Sequence, residues 1–310
     1  MFDKNNEQFD LVFDDKSLGK TLKKAKRVTL FRTIIISAIV CILLVFTVYK
    51  VNMWWVSKIG GETATDLIKQ DAIMKAPNTI VKTETIDYGF LKGTIKREVF
   101  KVVEDKIIPW ETQEANFGFR GFKSTSFSSS STKIDEDTYI HIPNGEKEML
   151  FYVPQYRYKT YANDLSELKD YPNDKYIELG VSFNKGYSLN EVKKMLPTSV
   201  HPMWYWVNDY PNKAYERDEP ESGQWFYGIY DPTSKVGQAM SSPKIKSELA
   251  FLRRLKMLDK SKSYYTLVKN HQKDGMIIGA VVTGTKDSLL ELKDQPYVKA
   301  SSIGAVVDKY

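Results

Sequence analysis

The side chains that could do chemistry are few and scattered. His141, His201 and His271 stand 60 and 70 residues apart. No H-E-x-x-H or comparable ligand spacing surrounds them, so each reads as the polar edge residue that a strand commonly carries. Ser-x-x-Lys, the spacing of a lysine-activated serine nucleophile, occurs at Ser17/Lys20, Ser130/Lys133 and Ser241/Lys244. Its companion K-T-G is missing, and VTGT at 282–285 resembles it only superficially. Repeated hits in a chain rich in serine and lysine are what chance supplies. There is no G-x-S-x-G, P-loop or G-x-G-x-x-G, so no cofactor is implied and no enzymatic activity is expected. The acidic run Asp135, Glu136, Asp137 lies in a loop-like stretch, without the apolar setting that raises a carboxyl pKa. Cys41 is the sole cysteine, which excludes intramolecular disulfides and Cys-based zinc sites.

Aromatic residues are the remaining candidates. MWYW at 203–206 and WFYGIY at 225–230 offer Trp204, Trp206 and Trp225 as an outer ligand surface, where stacked rings could hold a sugar or an apolar partner. Alternation gives the simpler account. Trp204 and Trp206 would share one side of a strand, Tyr205 and Val207 the other, and a half-buried sheet takes up such residues as core.

One element must position everything else. Thr33 to Tyr49, TIIISAIVCILLVFTVY, carries no charge. As a helix it would be roughly 25 Å long, close to a hydrocarbon core of about 30 Å. Residues 16–32 before it hold seven basic side chains, Arg32 the last of them; after it Lys50 and Lys58 are soon offset by Glu62, Asp66 and Asp71. Lys and Arg stay on the cytoplasmic side, so the N-terminus is expected inside and the C-terminus outside. Tyr49, Trp54 and Trp55 suit the outer interface, and Lys50 can snorkel towards it. A cleaved signal would need a small-residue site, but KVNMWWVSK follows. A lipoprotein signal fails because Cys41 is mid-span, and a buried core helix does not explain the basic-to-aromatic polarity. A retained anchor at 33–53 is the expectation.

The chain has 45 basic and 39 acidic residues, a net charge of +6. Half of that excess lies in residues 1–32, which suits an anionic inner leaflet; the remainder is too dilute for a nucleic-acid surface. Some 255 residues beyond the span are enough for a core without disulfides, as one or two domains. The absence of disulfides there leans towards a Gram-positive surface.

The head, residues 1–32, has two readings that stay open. Leu18, Leu22, Ala25 and Thr29 form a narrow apolar stripe between lysine faces, as in a helix resting on lipid. Alternatively Phe9, Leu11, Val12 and Phe13 anchor a docking peptide for a protein partner. Asp10, Asp14 and Asp15 beside them would be repelled by an anionic membrane.

After the span, residues 60–77 show helical spacing at Ala64, Leu67, Ile68 and Ala72. NTIVKTETID at 78–87 and GTIKREVFKVVED at 93–105 read as a long hairpin. STSFSSSST at 124–132 reads as a loop or linker. From about 136 strands and helices alternate. DKYIELGVSF, the Ser188-capped SLNEVKKMLP and HPMWYWVNDY form one strand-helix-strand trio; GMIIGAVVTG, TKDSLLELK and KASSIGAVVDKY form another. Between them lie the strand QWFYGIY and the helix SPKIKSELAFLRRLKML, whose apolar face is assigned to Ile245, Leu249, Leu252 and Leu255 or Met257. The fold expected is α+β: one N-terminal transmembrane helix, a membrane-proximal hairpin region at 54–135, and a ferredoxin-like domain of duplicated β-α-β units at 136–310.

Three stretches carry a family resemblance: LGKTLKKAKRVTLFRTIIISAIVCILL, GVSFNKGYSLNEVKKMLP followed by WYWVNDY, and IIGAVVTGTKDSLLELKDQPYVKASSIGAVVDKY. In these and in the order of parts the chain resembles the membrane-anchored anti-sigma factors of Gram-positive bacteria with paired sigma-factor-regulator N-terminal and C-terminal domains. The resemblance implies that the head holds an extracytoplasmic-function sigma factor and frees it on an outer signal such as envelope stress. Phe9, Leu11, Val12, Phe13, Leu18 and Leu22 are the expected contacts. The zinc-binding H-x-x-x-C-x-x-C motif of other anti-sigma factors is absent, so contacts would be apolar and ionic. The competing reading is an envelope binding or scaffold protein using Trp204, Trp206 and Trp225. The sigma factor, the inducing signal and any second membrane protein are left open.

Overall fold

The computed structural model describes residues 15–127, 131–135, 138–223, 225–234 and 245–310. Phe9, Leu11, Val12 and Phe13 therefore lie outside the described residues, as do Ser130, Ser241, Lys244, Glu136 and Asp137.

Helix α1 runs from Asp15 to Asp71 without interruption, 57 residues. No proline occurs in that stretch, and Gly19, Gly60 and Gly61 are its only glycines. At 1.5 Å per residue it is roughly 85 Å long, several times the helix length a bilayer requires. The helical spacing expected at 60–77 is met as far as Asp71, and the polar turns after the span continue the same helix. Nothing in KVNMWWVSKIGG forbids the helical backbone, and a change of polarity alone does not end a helix. Inside the apolar stretch the hydroxyls of Thr33 and Thr47 donate to the carbonyls of Thr29 and Leu43, at 3.0 and 2.7 Å. A polar group in lipid needs such an internal partner.

Two compact units divide the chain, one ending at Lys58 and the other spanning Ile59–Tyr310. In the second, β1 (Met74–Lys75) is followed by β2 (Thr79–Tyr88), β3 (Lys92–Val103), β4 (Lys106–Gly118) and β5 (Lys123–Phe127). Strands β2 to β5 form a four-stranded antiparallel sheet in chain order. The expected hairpin is its first half. Serine-rich residues expected to be a linker enter strands: Ser124–Phe127 belong to β5, and Ser131–Lys133 form β6, paired with β7 (Tyr139–His141) in a separate two-stranded sheet. Serine and threonine disfavour helix, but an edge strand exposed to water accepts them.

Further on come β8 (Arg157–Tyr158), β9 (Lys175–Tyr187), helix α2 (Leu189–Met195), β10 (His201–Val207), β11 (Glu216–Arg217) and β12 (Phe226–Tyr230). The helices Glu248–Leu258 and Ser263–His271, β13 (Ile277–Gly284), the short helix Lys286–Leu290 and β14 (Val298–Asp308) complete the unit. Ser188 caps α2 as expected, in a reciprocal capping box with Glu191. A six-stranded antiparallel sheet has the order β1-β12-β10-β13-β9-β14. The two strands of each expected strand-helix-strand trio are separated by one strand of the other trio, so the units interlock.

Each face of this sheet is buried. Ile177, Leu179, Val181 and Phe183 of β9, with Tyr205 and Val207 of β10, face a core that includes α2 and the two long helices. On the other face Trp204, Trp206 and Val281 pack beneath residues 149–153. The helix Glu248–Leu258 buries Phe251, Leu252 and Leu255, while Leu249 and Met257 point outward. Leu252 and Leu255 lie on the expected face and Ile245 packs against the same core, whereas Leu249 gives way to Phe251.

Candidate functional site

Among the described residues no group of three or more His, Cys, Asp or Glu could hold a metal ion. The three histidines stay apart. His201, exposed, meets Glu104 at 2.8 Å, and the Nε2 of His271 lies 2.7 Å from the carbonyl of Tyr210. His141 departs from the edge-residue expectation: it is fully buried and stacks on Trp110, with ring centroids 4.0 Å apart. Burial holds its pKa below the usual histidine value, against a hydrogen bond from its Nδ1 to Asn144 Oδ1 that raises it, and Lys101 lowers it further.

Trp204 and Trp206 are 1% and 0% exposed. That corrects their assignment to an outer ligand surface, since a ring with no free face cannot stack on a sugar. Their seat requires glycine opposite. A Cβ on Gly228 would come within 2.0 Å of the Trp204 ring, and one on Gly279 within 3.0 Å of Trp206. Trp225 alone remains outward, 53% exposed, at the rim of a cavity of about 30 Å³ that Leu67, Asp71 and Met74 also line.

The constellation that the fold does assemble is a joint around the last turns of α1. Gly60, Thr63, Ala64 and Leu67 make one buried face at positions i, i+3, i+4 and i+7, while Ile68, expected on that face, is 41% exposed. Gly60 abuts the rings of Phe117 and Tyr88, leaving no room for a Cβ. Lys123 reaches Asp66 at 3.1 Å. At the helix end Asp71 meets the guanidinium of Arg97, whose side chain is only 2% exposed. Arg97 sits mid-sheet with Glu84 and Gln113 directly opposite on β2 and β4. It donates to Gln113 Oε1 at 2.7 Å. Its Nε is 3.3 Å from Glu84 Oε2, close enough for an ion pair though not aligned for a hydrogen bond. Four residues along β3, Lys101 carries the joint into the larger sheet. Its ammonium lies 2.9 Å from Glu178 Oε2 on β9 and 3.8 Å from the centre of the Trp110 ring. Asn78 donates to the other oxygen of Glu178 at 2.7 Å, and the backbone N–H of Ala305 to Oε2 at 3.1 Å.

Sequence reasoning missed Arg97, Lys101 and Glu178, although a signal existed. Gly93, Ile95, Arg97, Val99 and Lys101 share one face of β3 at period two, and all five are buried. A charge on an apolar face of a strand demands a buried partner; which partner is not readable from one strand. The residues expected at the membrane interface lie on α1, with Tyr49 and Trp54 exposed and Lys50 5.3 Å from the Phe46 ring. Arg32 precedes the uncharged run and Trp55 follows Trp54 in the same helix. Leu18 and Leu22 are exposed on its first turns.

A helix long and apolar enough to cross a membrane, seated by its far end in an α+β unit, is the build of a single-pass membrane protein. The sigma factor regulator N-terminal family matches residues 19–108 and the sigma factor regulator C-terminal family residues 168–305. The chain belongs to these sigma factor regulators and is a membrane anti-sigma factor that binds a sigma factor. No curated protein and no solved structure matches it.

Proposed function

We propose that this protein holds an extracytoplasmic-function sigma factor at the cytoplasmic face of the cell membrane through its head, residues 1–32, and releases it on an envelope signal. The observation that carries the reading is α1 itself. One unbroken helix leaves a basic, apolar-striped head, passes through 17 uncharged residues and ends in a buried ionic grip. The basic flank supports an N-terminus facing the cytoplasm, with residues beyond the span outside. The family is regulatory, which supports a non-enzymatic role.

In this reading Phe9, Leu11, Val12, Phe13, Leu18 and Leu22 contact the sigma factor, and Arg32, Tyr49, Lys50, Trp54 and Trp55 set the helix in the bilayer. The parts are the head, the span at 33–53, a proximal region at 54–135 and the regulator domain at 136–310. The interlocked order β10-β13-β9-β14 supports a ferredoxin-like description of that domain. A Gram-positive source and a second membrane protein belong to the same proposal.

A signal bound outside would alter the joint and reach the head along α1 without covalent chemistry. Proteolysis near 50–60 is the alternative, and it requires the helix to unwind locally before a protease can take it. Blotting for a shortened fragment during induction separates the two. The head is tested by pull-down with the 1–32 peptide. Recovery of a sigma factor supports the proposal. No recovery, with sigma-dependent transcription unchanged on deleting the head, sinks it. The scaffold reading now rests on Trp225; it expects function to survive replacement of residues 1–15 by an unrelated polar sequence.

A further inference from the structure

The four-stranded sheet has an end that the sigma-binding reading does not use. At that end two turns stand side by side, Tyr88–Lys92 between β2 and β3, and Gly118–Lys123 between β4 and β5. They are tied together by the N–H of Phe119 donating to the carbonyl of Leu91 at 2.9 Å. Phe90, Phe119 and Phe122 are 66%, 55% and 58% exposed, and Tyr88 and Leu91 are also open to solvent. Large apolar side chains clustered at the tips of two turns are unusual in water and mark an interaction surface. Lys92, Arg120 and Lys123 stand among them, and neither segment contains an acidic residue. Leu91 and Arg120 hold left-handed backbones, φ 57° and 60°, which glycine or asparagine would adopt at less cost. The tips therefore keep an apolar and a basic side chain where turn geometry alone favours neither.

The direction of the tips follows from the joint. Along α1, Gly60 is packed beside Phe117 and Asp71 is paired with Arg97. Along β3, Gly93 also abuts Phe117. Passing from Arg97 to Gly93 and on to the turn at Phe90 is thus the same direction as passing from Asp71 to Gly60, back along α1 from its end.

We propose that the paired tips, 88–92 and 118–123, form a foot that enters the lipid headgroup layer on the C-terminal side of the span. Phe90, Phe119 and Phe122 would enter among the upper acyl chains, and Lys92 and Arg120 would meet anionic headgroups. A ring at the interface with a cation beside it is the arrangement that bilayers favour. The foot would fix the tilt and height of the joint against the membrane, so that a signal moves the helix relative to a braced sheet. This inference rests on α1 crossing a bilayer and is independent of the sigma partner.

The single cysteine makes the test direct. The full chain is reconstituted in vesicles containing phosphatidylglycerol and spin-labelled in separate samples. One sample carries the label at native Cys41. Others carry it at Phe90→Cys, Phe119→Cys or Phe122→Cys in a Cys41→Ser background. Ile142→Cys is the aqueous reference, since Ile142 is exposed and its neighbour Asn144 bonds Pro109 at the opposite end of β4. Relaxation by oxygen against a nickel chelate reads depth. The expected result is a deep label at Cys41 and labels at 90, 119 and 122 with oxygen-to-nickel ratios several-fold above that at 142. Ratios equal to that at 142, with Cys41 deep, overturn the foot and leave the span intact. A nickel-accessible Cys41 overturns the span and the foot together.

Discussion

The two larger sheets of the second unit are built on different rules. The six-stranded sheet is mainly apolar on both faces, with Glu178 as a buried charge on β9, and its tryptophans are seated by glycines on neighbouring strands. The four-stranded sheet buries Arg97 and Lys101 and answers them from α1 and from β9. An apolar core resists sliding through many contacts that are each weak. A buried ion pair tolerates no sliding, because a charge withdrawn from its partner faces a low-dielectric interior alone. The first sheet thus supplies stability and the second supplies position. A device that must sense displacement of a helix has use for the second kind.

This contrast can be broken from either side. On the apolar side, Trp206→Ala removes a fully buried ring and is expected to cost about 3–5 kcal/mol, read by chemical denaturation of the solubilised chain. On the charged side, Lys101→Met leaves Glu178 buried without its cation and should cost a similar amount, about 3–5 kcal/mol. The informative variant is the double change Lys101→Met with Glu178→Gln, which removes both charges but keeps an acceptor for Asn78 or Ala305, and is expected to recover most of the loss, to within about 1–2 kcal/mol of the parent. If position is what the pair provides, the double variant melts close to the parent yet no longer couples an envelope signal to sigma release. A reporter strain shows this as loss of induction with basal repression retained.

A smaller effect is expected at Gly228→Ala. Its new methyl meets the Trp204 ring, so the strand or the indole must shift, at about 1–3 kcal/mol. The same change at Gly61, with open space around it, should do nothing comparable.

The weakest expected effects are those of pH, and they oppose one another. His141, buried neutral, has a folded pKa below 6.5. Its contribution is present above that value and is lost as pH falls, because the unfolded chain then binds the extra proton. His141→Gln should flatten the loss of melting temperature on acidification from neutral pH. Asp209 is pushed from 3.8 up to about 7, chiefly by burial and in part by Glu221. Its contribution is present at low pH and is lost as pH rises through about 7, where the folded state must ionise. Asp209→Asn should therefore gain on the parent progressively between about pH 4 and pH 7 and hold that gain above it. A melt series across this range separates the two slopes.

Much of the plan was legible. The span was readable because 17 uncharged residues in a row have one low-energy environment. Ser188 was readable because capping is a local matter of four residues. The alternation of Trp204 and Trp206 with Tyr205 and Val207 placed each on its correct face. What alternation did not reveal was that both faces are covered, so the outer surface offered by Trp204 and Trp206 proved to be core. The stripe on Glu248–Leu258 was read correctly at Leu252 and Leu255 and missed only Phe251, taken instead as Leu249. Several phases of LAFLRRLKML give a passable apolar face, and the sheet chooses among them.

The sequence alone indicated the apolar span, the family and the strand-helix order, since each depends on composition or on neighbours along the chain. Only the tertiary structure decided that the span runs on to Asp71, that Arg97 and Lys101 close on Asp71 and Glu178, and that two turns 30 residues apart bring their phenylalanines together. The physical reason is the same in each case. A buried charge or an exposed ring specifies that a partner must exist, whereas its identity depends on which distant strands the chain has folded beside it.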